Sequence, residues 1–358
     1  MTPRLRCLMI GAGGFAGAYA ANFLPPFLDR LQITGLVDLA PEPLQRSGDL
    51  LGVPANARFA TMEEAFARIE ADFCLIVVPP AFHKQAVLLA AARGMNILSE
   101  KPIADTWEGC QAIYRAVQAA GVRMQVVQNY RYNPAMLTFR KLLRDGVVGR
   151  ANYLMGRFAE DYRQRNSWGK FRHEIPHSLL VEGAVHHFDM LRNLAGAPCE
   201  TIAGWEWNPP WSSFDGESSA TYVMRMANGV FAHYEGNCSE AGRPNGWHQE
   251  YYRAECEAGA VVVDSDGVVR LQEHLGGHRL RVTDVPLEQP PYVGHQAVLD
   301  QFLNWIHGGP TPETVLDDNI LSAAMLFAAT EASATNQTAD VAGRVAALVA
   351  PGGENDGH

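Results

Sequence analysis

Apolar positions are arranged in two different ways along this chain. Through about residue 127, short, mainly apolar runs at 5–10, 32–36, 72–78, 96–98 and 123–127 alternate with helix-compatible stretches, one ending at Leu24 and others at 43–51, 62–69, 82–92 and 106–119. Continuous apolar strands alternating with helices predict a parallel sheet covered on both faces. Further on, runs at 151–158, 201–207, 219–226, 230–235, 250–257, 260–263 and 268–271 follow one another, and several alternate with period 2, as Tyr222, Met224 and Met226 do against Val223 and Arg225. Half-buried antiparallel strands fit that pattern. The expected architecture is α/β followed by α+β: a doubly wound parallel sheet over 1–127, then a domain over 128–350 built on a large, mostly antiparallel open sheet. A late helix is expected at 319–331, and 351–358, with Gly, Asn and Asp but no apolar anchor, is expected to be a loose tail.

The first apolar run stops at Gly11-Ala12-Gly13-Gly14-Phe15-Ala16. A strand, a glycine turn and a helix, in that order, are what dinucleotide binding requires. Gly11 permits the tight turn, Gly13 lets a pyrophosphate approach the backbone, and Ala16 keeps the helix close to the strand. Gly14 and Phe15 complete the loop, and N–H groups at the helix N-terminus face the anion. Asp38, at the end of the second run and 22 residues after Ala16, is placed to accept from a ribose 2′-hydroxyl. Its carboxylate repels a 2′-phosphate, and Arg30 precedes that strand, so NAD is expected over NADP. The first domain is therefore expected to be a Rossmann unit.

Charge complicates one segment. From Cys7 to Leu28 there is no charged residue, and Arg4 and Arg6 precede the run. With Ala18-Tyr19-Ala20 it mimics a secretory signal, and its length suits a membrane span. The interruptions at Gly11, Gly13, Gly14, Gly17, Asn22, Pro25 and Pro26 fit neither. A covered strand and its phosphate-cradling turn account for the same composition, so export and membrane insertion are not expected. The whole chain of 358 residues, 47% apolar and 19% charged with a net charge of −10, reads as two globular domains without a basic stripe for nucleic acid. Six cysteines without a C-x-x-C pair suit a reduced, cytoplasmic protein.

Two further stretches fall at the carboxyl ends of the expected parallel strands: Val78-Pro79-Pro80 with His83, and Glu100-Lys101-Pro102. That edge is where ligands bind in such sheets. With the glycine loop and Asn129-Tyr130-Arg131-Tyr132-Asn133-Pro134, these stretches resemble the successive motifs of the glucose-fructose oxidoreductase / inositol dehydrogenase / rhizopine catabolism (Gfo/Idh/MocA) family of NAD(P)-dependent oxidoreductases. The resemblance extends over nearly the whole chain in overall pattern and is specific to about residue 195. It implies cofactor contacts from Val78, Pro79, Pro80, His83, Glu100, Lys101 and Asn129, and substrate contacts from Lys101, Tyr130 and Arg131.

In the second half the chemistry concentrates at Glu182, His186 and His187. Glu182 and His186 are four apart, on one face of a helix. A histidine near neutral pKa takes a proton, and an adjacent carboxylate orients it. A metal reading from Glu182, His186, His187 and Asp189 is disfavoured, because neighbouring His186 and His187 diverge by roughly 100° on a helix; no metal is expected. The segment also resembles the family's D-x-x-x-H-x-x-D stretch, which implies Lys101 and His186 as the catalytic pair. Here Glu182 replaces the usual Asp, and the extra methylene moves the carboxylate. Trp168 and Arg172 suit a polyol, one as a flat apolar face and the other as a fixed donor, and His187 is counted with them on the substrate side. Trp205 and Trp207 share one sheet face, which the resemblance makes a subunit interface for a homodimer or homotetramer.

The expected activity is hydride transfer between a secondary alcohol of a sugar or cyclic polyol and NAD. Lys101 and His186 handle the proton, assisted by Glu182. Two alternatives stay open: an NAD-dependent redox glycosidase that oxidises transiently and eliminates, and a non-catalytic regulator that senses NAD or a sugar.

Overall fold

The structure is a computed structural model and describes residues 3–349. The expected loose tail at 351–358 lies outside the described residues. The chain divides into two compact units, one running to Pro134 and including Gln289–Ile320, the other comprising Ala135–Glu288 and the described residues from Leu321.

The first unit is built on six parallel strands: β1 (Leu5–Ile10), β2 (Leu31–Val37), β3 (Arg58–Phe59), β4 (Phe73–Ile76), β5 (Asn96–Ser99) and β6 (Met124–Val126). Their order is β3-β2-β1-β4-β5-β6. Helices Pro41–Leu50, Met62–Arg68, His83–Ala92 and Trp107–Ala120 connect them. This is the doubly wound order of a Rossmann sheet, and it reverses direction between β1 and β4, where such sheets open a crevice for ligands. The long helix expected to reach Leu24 is broken up. An α-helix over Gly14–Ala18 widens into a π turn over Tyr19–Phe23 and ends in a 3₁₀ turn at Pro25–Phe27. Leu24 N donates to Tyr19 O, five residues back, and the adjacent prolines cannot continue the ladder.

One expected boundary near residue 127 does not describe this unit completely, because the chain returns to it. Helix Gly294–Ile306 places Val298, Phe302 and Leu303 in the core around Cys7, Met9, Phe73 and Leu75. Phe302 meets Phe73 edge to face at 5.2 Å. Truncating such a buried ring costs about 3–5 kcal/mol, so the returning helix is integral to the unit.

The second unit is built on a nine-stranded sheet: β7 (Ala151–Ala159), β8 (Cys199–Trp207), β9 (Ser219–Met226), β10 (Phe231–Asn237), β11 (Tyr251–Cys256), β12 (Gly259–Val263), β13 (Val269–His274), β14 (Leu280–Val285) and β15 (Ala339–Asp340). Its order is β14-β13-β12-β11-β7-β10-β9-β8-β15. All neighbours are antiparallel except β10 and β7, which run parallel. The period-2 expectation holds on β9, where Tyr222, Met224 and Met226 are buried while Val223 and Arg225 face solvent. Register places Trp205, Trp207, Val223 and Phe231 on that same outward face, all exposed. Among the described residues, no helix is long and apolar enough to cross a membrane.

Candidate active site

The glycine loop is shaped by what lies behind it. Gly11 has φ +105°, and a Cβ there would sit 2.0 Å from Val77 O, so no other residue fits. Beside it, a Cβ at Gly14 would meet nothing within 4 Å. This pairing of close backbone behind and open space in front fits the pyrophosphate of a dinucleotide. Asp38 braces the same loop: Oδ2 accepts from Ala12 N at 2.7 Å and Gly13 N at 3.0 Å, and Oδ1 from Ala40 N at 2.8 Å. Ser47 Oγ donates to Ala12 O at 2.7 Å. The sequence spacing gave Asp38 a role toward ribose; the structure adds a second one, holding the turn. Carboxylate oxygens accept more than one bond, so the two roles are compatible.

At the ends of β4 and β5 the expected residues converge, with differing exposure. Val78 is half-buried, Pro79 exposed and Pro80 buried. His83 is fully buried, with Nδ1 2.8 Å from Pro102 O and Nε2 2.8 Å from Val78 O. Its side chain therefore ties the two strand ends together. Lys101 is half-buried and precedes Pro102 through a cis peptide. Asn129, Tyr130 and Arg131 are buried. Arg131, expected to meet substrate, pairs with Asp318 at 2.6 Å and donates to Glu313 O at 3.4 Å. A buried guanidinium needs such a partner, and the pair anchors the returning segment.

Glu100 shows what the sequence did not. Its Oε1 accepts from Tyr19 OH at 2.6 Å and lies 3.5 Å from His295 Nε2, while Oε2 accepts from Lys101 N at 3.2 Å. Burial pushes this carboxyl up, but the hydrogen bond and charge of His295, the Tyr19 hydroxyl and the Lys101 ammonium outweigh it and hold it below its ordinary value. Burial and the Glu100 charge push the Tyr19 phenol well up. Tyr19 and exposed Phe15 pack with Phe23 and His295, the last two stacked at 4.6 Å. The π turn supplies Tyr19 and the returning helix supplies His295; neither carries a local motif.

In the second unit, the helix expected to carry Glu182 and His186 on one face is a composite. Leu179–Ala184 is π-helical, and Val185–Ala195 is α-helical. Glu182 is buried in the π segment and accepts from Arg172 Nε at 2.8 Å. Arg172 also donates to Trp168 O, and its guanidinium lies over the Phe171 and Trp168 rings. Arg172 is therefore engaged within the protein, as the ion partner of Glu182. Trp168 stacks on Tyr162 at 5.2 Å and leans on Trp247, whose Nε1 donates to Tyr162 OH at 2.6 Å. Gly183 lies under this aromatic group, since a Cβ there would touch Trp247 Cη2 at 3.5 Å.

His186 is buried in the first turn of the α-helix. His187, expected on the substrate side, is 1% exposed, with Nδ1 2.9 Å from Tyr234 OH and its ring stacked on Phe158. Its Nε2 is 3.5 Å from Glu250. Asp189 accepts from Ser322 Oγ at 2.7 Å and pairs with Arg192. Sequence reading did not identify Tyr162, Trp247, Tyr234 or Glu250; they come from strands and loops remote from the helix.

A glycine-loop Rossmann unit with Glu-Lys-Pro at a strand end, joined to a large open-sheet domain, defines the class of two-domain nucleotide-dependent oxidoreductases. Comparison with known proteins narrows this. The oxidoreductase family model with an NAD-binding Rossmann fold matches residues 5–128, and the GFO/IDH/MocA C-terminal domain model matches 136–262. The uncharacterized protein y4oX of Sinorhizobium fredii is 38% identical over 346 residues, 94% of this chain and 95% of that protein. D-apiose dehydrogenase of Paraburkholderia graminis is 25% identical over 342 residues, 91% and 86% of the two chains. The WlbA dehydrogenase of Bordetella pertussis, solved with NADH and UDP-GlcNAcA, superposes with a TM-score of 0.78 at 20% identity, covering 94% of this chain and 99% of that one. The chain belongs to the Gfo/Idh/MocA family of oxidoreductases.

Proposed function

We propose that the protein is an NAD-dependent dehydrogenase of a secondary alcohol in a sugar or cyclic polyol. The observation that carries this reading is Lys101, which follows a carboxylate fixed by Tyr19 and His295 and shares a unit with the glycine loop. The name of the D-apiose dehydrogenase relative supports the substrate class. Gly11, Gly13, Gly14, Phe15 and Ala16 would hold the pyrophosphate, and Asp38 the adenosine ribose. Asp38 favours NAD over NADP because its carboxylate repels a 2′-phosphate. When bound, NAD supplies the hydride acceptor.

The remaining chemistry is the chain's own. Lys101 Nζ donates a hydrogen bond to the substrate oxygen and stabilises it as it becomes a carbonyl. The His186 imidazole takes the hydroxyl proton. Glu182, held by Arg172, positions the turn that leads into His186. The outward sheet face with Trp205, Trp207, Val223 and Phe231 is proposed to pair copies of the chain, because an apolar patch of this kind is costly to leave in water.

The test is a panel of sugars and polyols assayed with NAD and with NADP for formation of reduced cofactor. NADH accumulating with substrate consumption supports the reading. Glycoside cleavage without net NADH would point to the redox glycosidase, and no turnover with any of them to a sensor. Use of NADP alone would overturn the role given to Asp38.

A further inference from the structure

Apart from the residues discussed above, the second unit holds another group with ligating chemistry. His177 lies in the turn that opens the π-helical segment, Glu206 on β8 and Glu217 just before β9. One ligand atom from each lies within 4.8 Å of the other two. His177 Nδ1 is 2.5 Å from Glu206 Oε1 and 3.5 Å from Glu217 Oε2. Gly216 allows the two loops to meet, since a Cβ there would be 2.4 Å from Ile175 O.

A second observation points to something missing from this group. The Glu206 side chain is 3% exposed, and its Oε2 is enclosed with no hydrogen-bond partner, although Oε1 on the same carbon faces His177. A buried carboxylate oxygen left without a donor or cation is costly. Among the described residues, neither carboxylate pairs with a lysine or arginine; His177 is the only cationic partner of both. With His177 protonated the group carries one net negative charge, and with His177 neutral it carries two.

We propose that His177, Glu206 and Glu217 bind a single divalent transition-metal cation of the Zn²⁺ type. One imidazole nitrogen with two carboxylates suits Zn²⁺, Mn²⁺ or Co²⁺, whereas Ca²⁺ and Mg²⁺ take oxygen ligands. The cation replaces the proton on His177 Nδ1 and meets the orphaned Glu206 Oε2, with water completing its shell. The His177 and Glu217 side chains, 37% and 36% exposed, have room to adjust to metal–ligand distances. Burial already pushes Glu206 up, and Glu206 and Glu217 push His177 up, as expected for a site short of positive charge. The ion would brace the turn that carries Glu182, since Val181 N donates to His177 O at 2.9 Å and Leu179 N to Glu217 O at 3.2 Å.

The experiment uses the full-length protein stripped with EDTA and titrated with zinc sulfate by calorimetry, alongside thermal melts and Co²⁺ absorption spectra. One ion per chain is expected, raising Tm by about 5 °C when free metal exceeds Kd by about a hundredfold. The Co²⁺ spectrum should lack a thiolate charge-transfer band, which separates this site from the cysteines. Glu206→Gln and, separately, Glu217→Gln should each weaken binding by about tenfold or more. Glu217 is half-exposed, so its variant keeps the test valid if Glu206→Gln fails to fold. The proposal is overturned by the absence of saturable binding below about 100 μM zinc, by a thiolate band, or by unchanged affinity in both variants. Zinc without effect while Glu206→Gln is more stable than the parent would show that the group holds only a proton, and would likewise overturn it.

Discussion

Glu100 and Glu182 are both buried carboxylates, and each precedes a residue to which we assign a role in the proposed reaction, yet they are held by different means. Glu182 faces a permanent cation, Arg172, at 2.8 Å. Glu100 faces a neutral phenol and a histidine, Tyr19 at 2.6 Å and His295 at 3.5 Å. A guanidinium carries a permanent charge on a planar fork of donors, whereas a phenol offers a single neutral donor. The first carboxylate is thus fixed by an ion pair and the second by a hydrogen-bond network. Two units of one chain need not hold their buried carboxylates in the same way.

The comparison can be broken from either side. The largest effect is expected at the proposed proton acceptor: His186→Asn should lower kcat by about a thousandfold, equivalent to ~4 kcal/mol, in steady-state assays with the best substrate. Arg172→Met should cost about 3 kcal/mol in urea unfolding, because it strands a buried carboxylate. The double variant Arg172→Met/Glu182→Leu should recover much of that loss, and no recovery would mean that Arg172 acts through its ring contacts instead. Tyr19→Phe should cost less, about 2 kcal/mol, by removing one hydrogen bond to a charged group.

The acid limb sharpens the contrast. Glu100 is held below its ordinary value near 4.5, so its contribution to stability is complete above that pH and fades as pH falls through the lower, folded value. Urea melts between neutrality and pH 3 should show this loss in the parent, and a shallower one in Tyr19→Phe, whose Glu100 sits closer to its ordinary value. An identical slope in both would remove Tyr19 from the account. The smallest effect belongs to Asp38→Ala, which should raise KM for NAD by about tenfold, ~1.4 kcal/mol, and shift preference toward NADP.

Much of this was legible in the residues because the signals were local. The glycine loop, Asp38 and the alternating runs are each encoded within a few positions, and the parallel sheet followed from them. The period-2 strands of the second unit were equally readable. Helix Gly294–Ile306 was not, because what makes it part of the first unit is packing of Phe302 on Phe73, far away in sequence. Strand β14 escaped because its alternation is short: Leu280 and Val282 alternate with Arg281 and Thr283, but Asp284-Val285 reverses the phase, and as an edge strand it buries neither face. Among the candidate residues, Lys101, Glu182 and His186 stood out by motif, whereas Tyr19 and His295 in the first unit and Trp247 in the second take their places only through contacts within each unit. The family resemblance aimed Arg131 at substrate and chemical type aimed Arg172 there; in the structure each pairs with a carboxylate, Asp318 and Glu182 respectively.

The most direct test of the central claim compares the parent with Lys101→Met on the best sugar or polyol, with NAD saturating and NADH formation followed through the first turnovers. The account predicts that the variant folds, binds NAD as the parent does, and loses about a thousandfold in the rate of NADH formation. Normal NADH formation by Lys101→Met would contradict it.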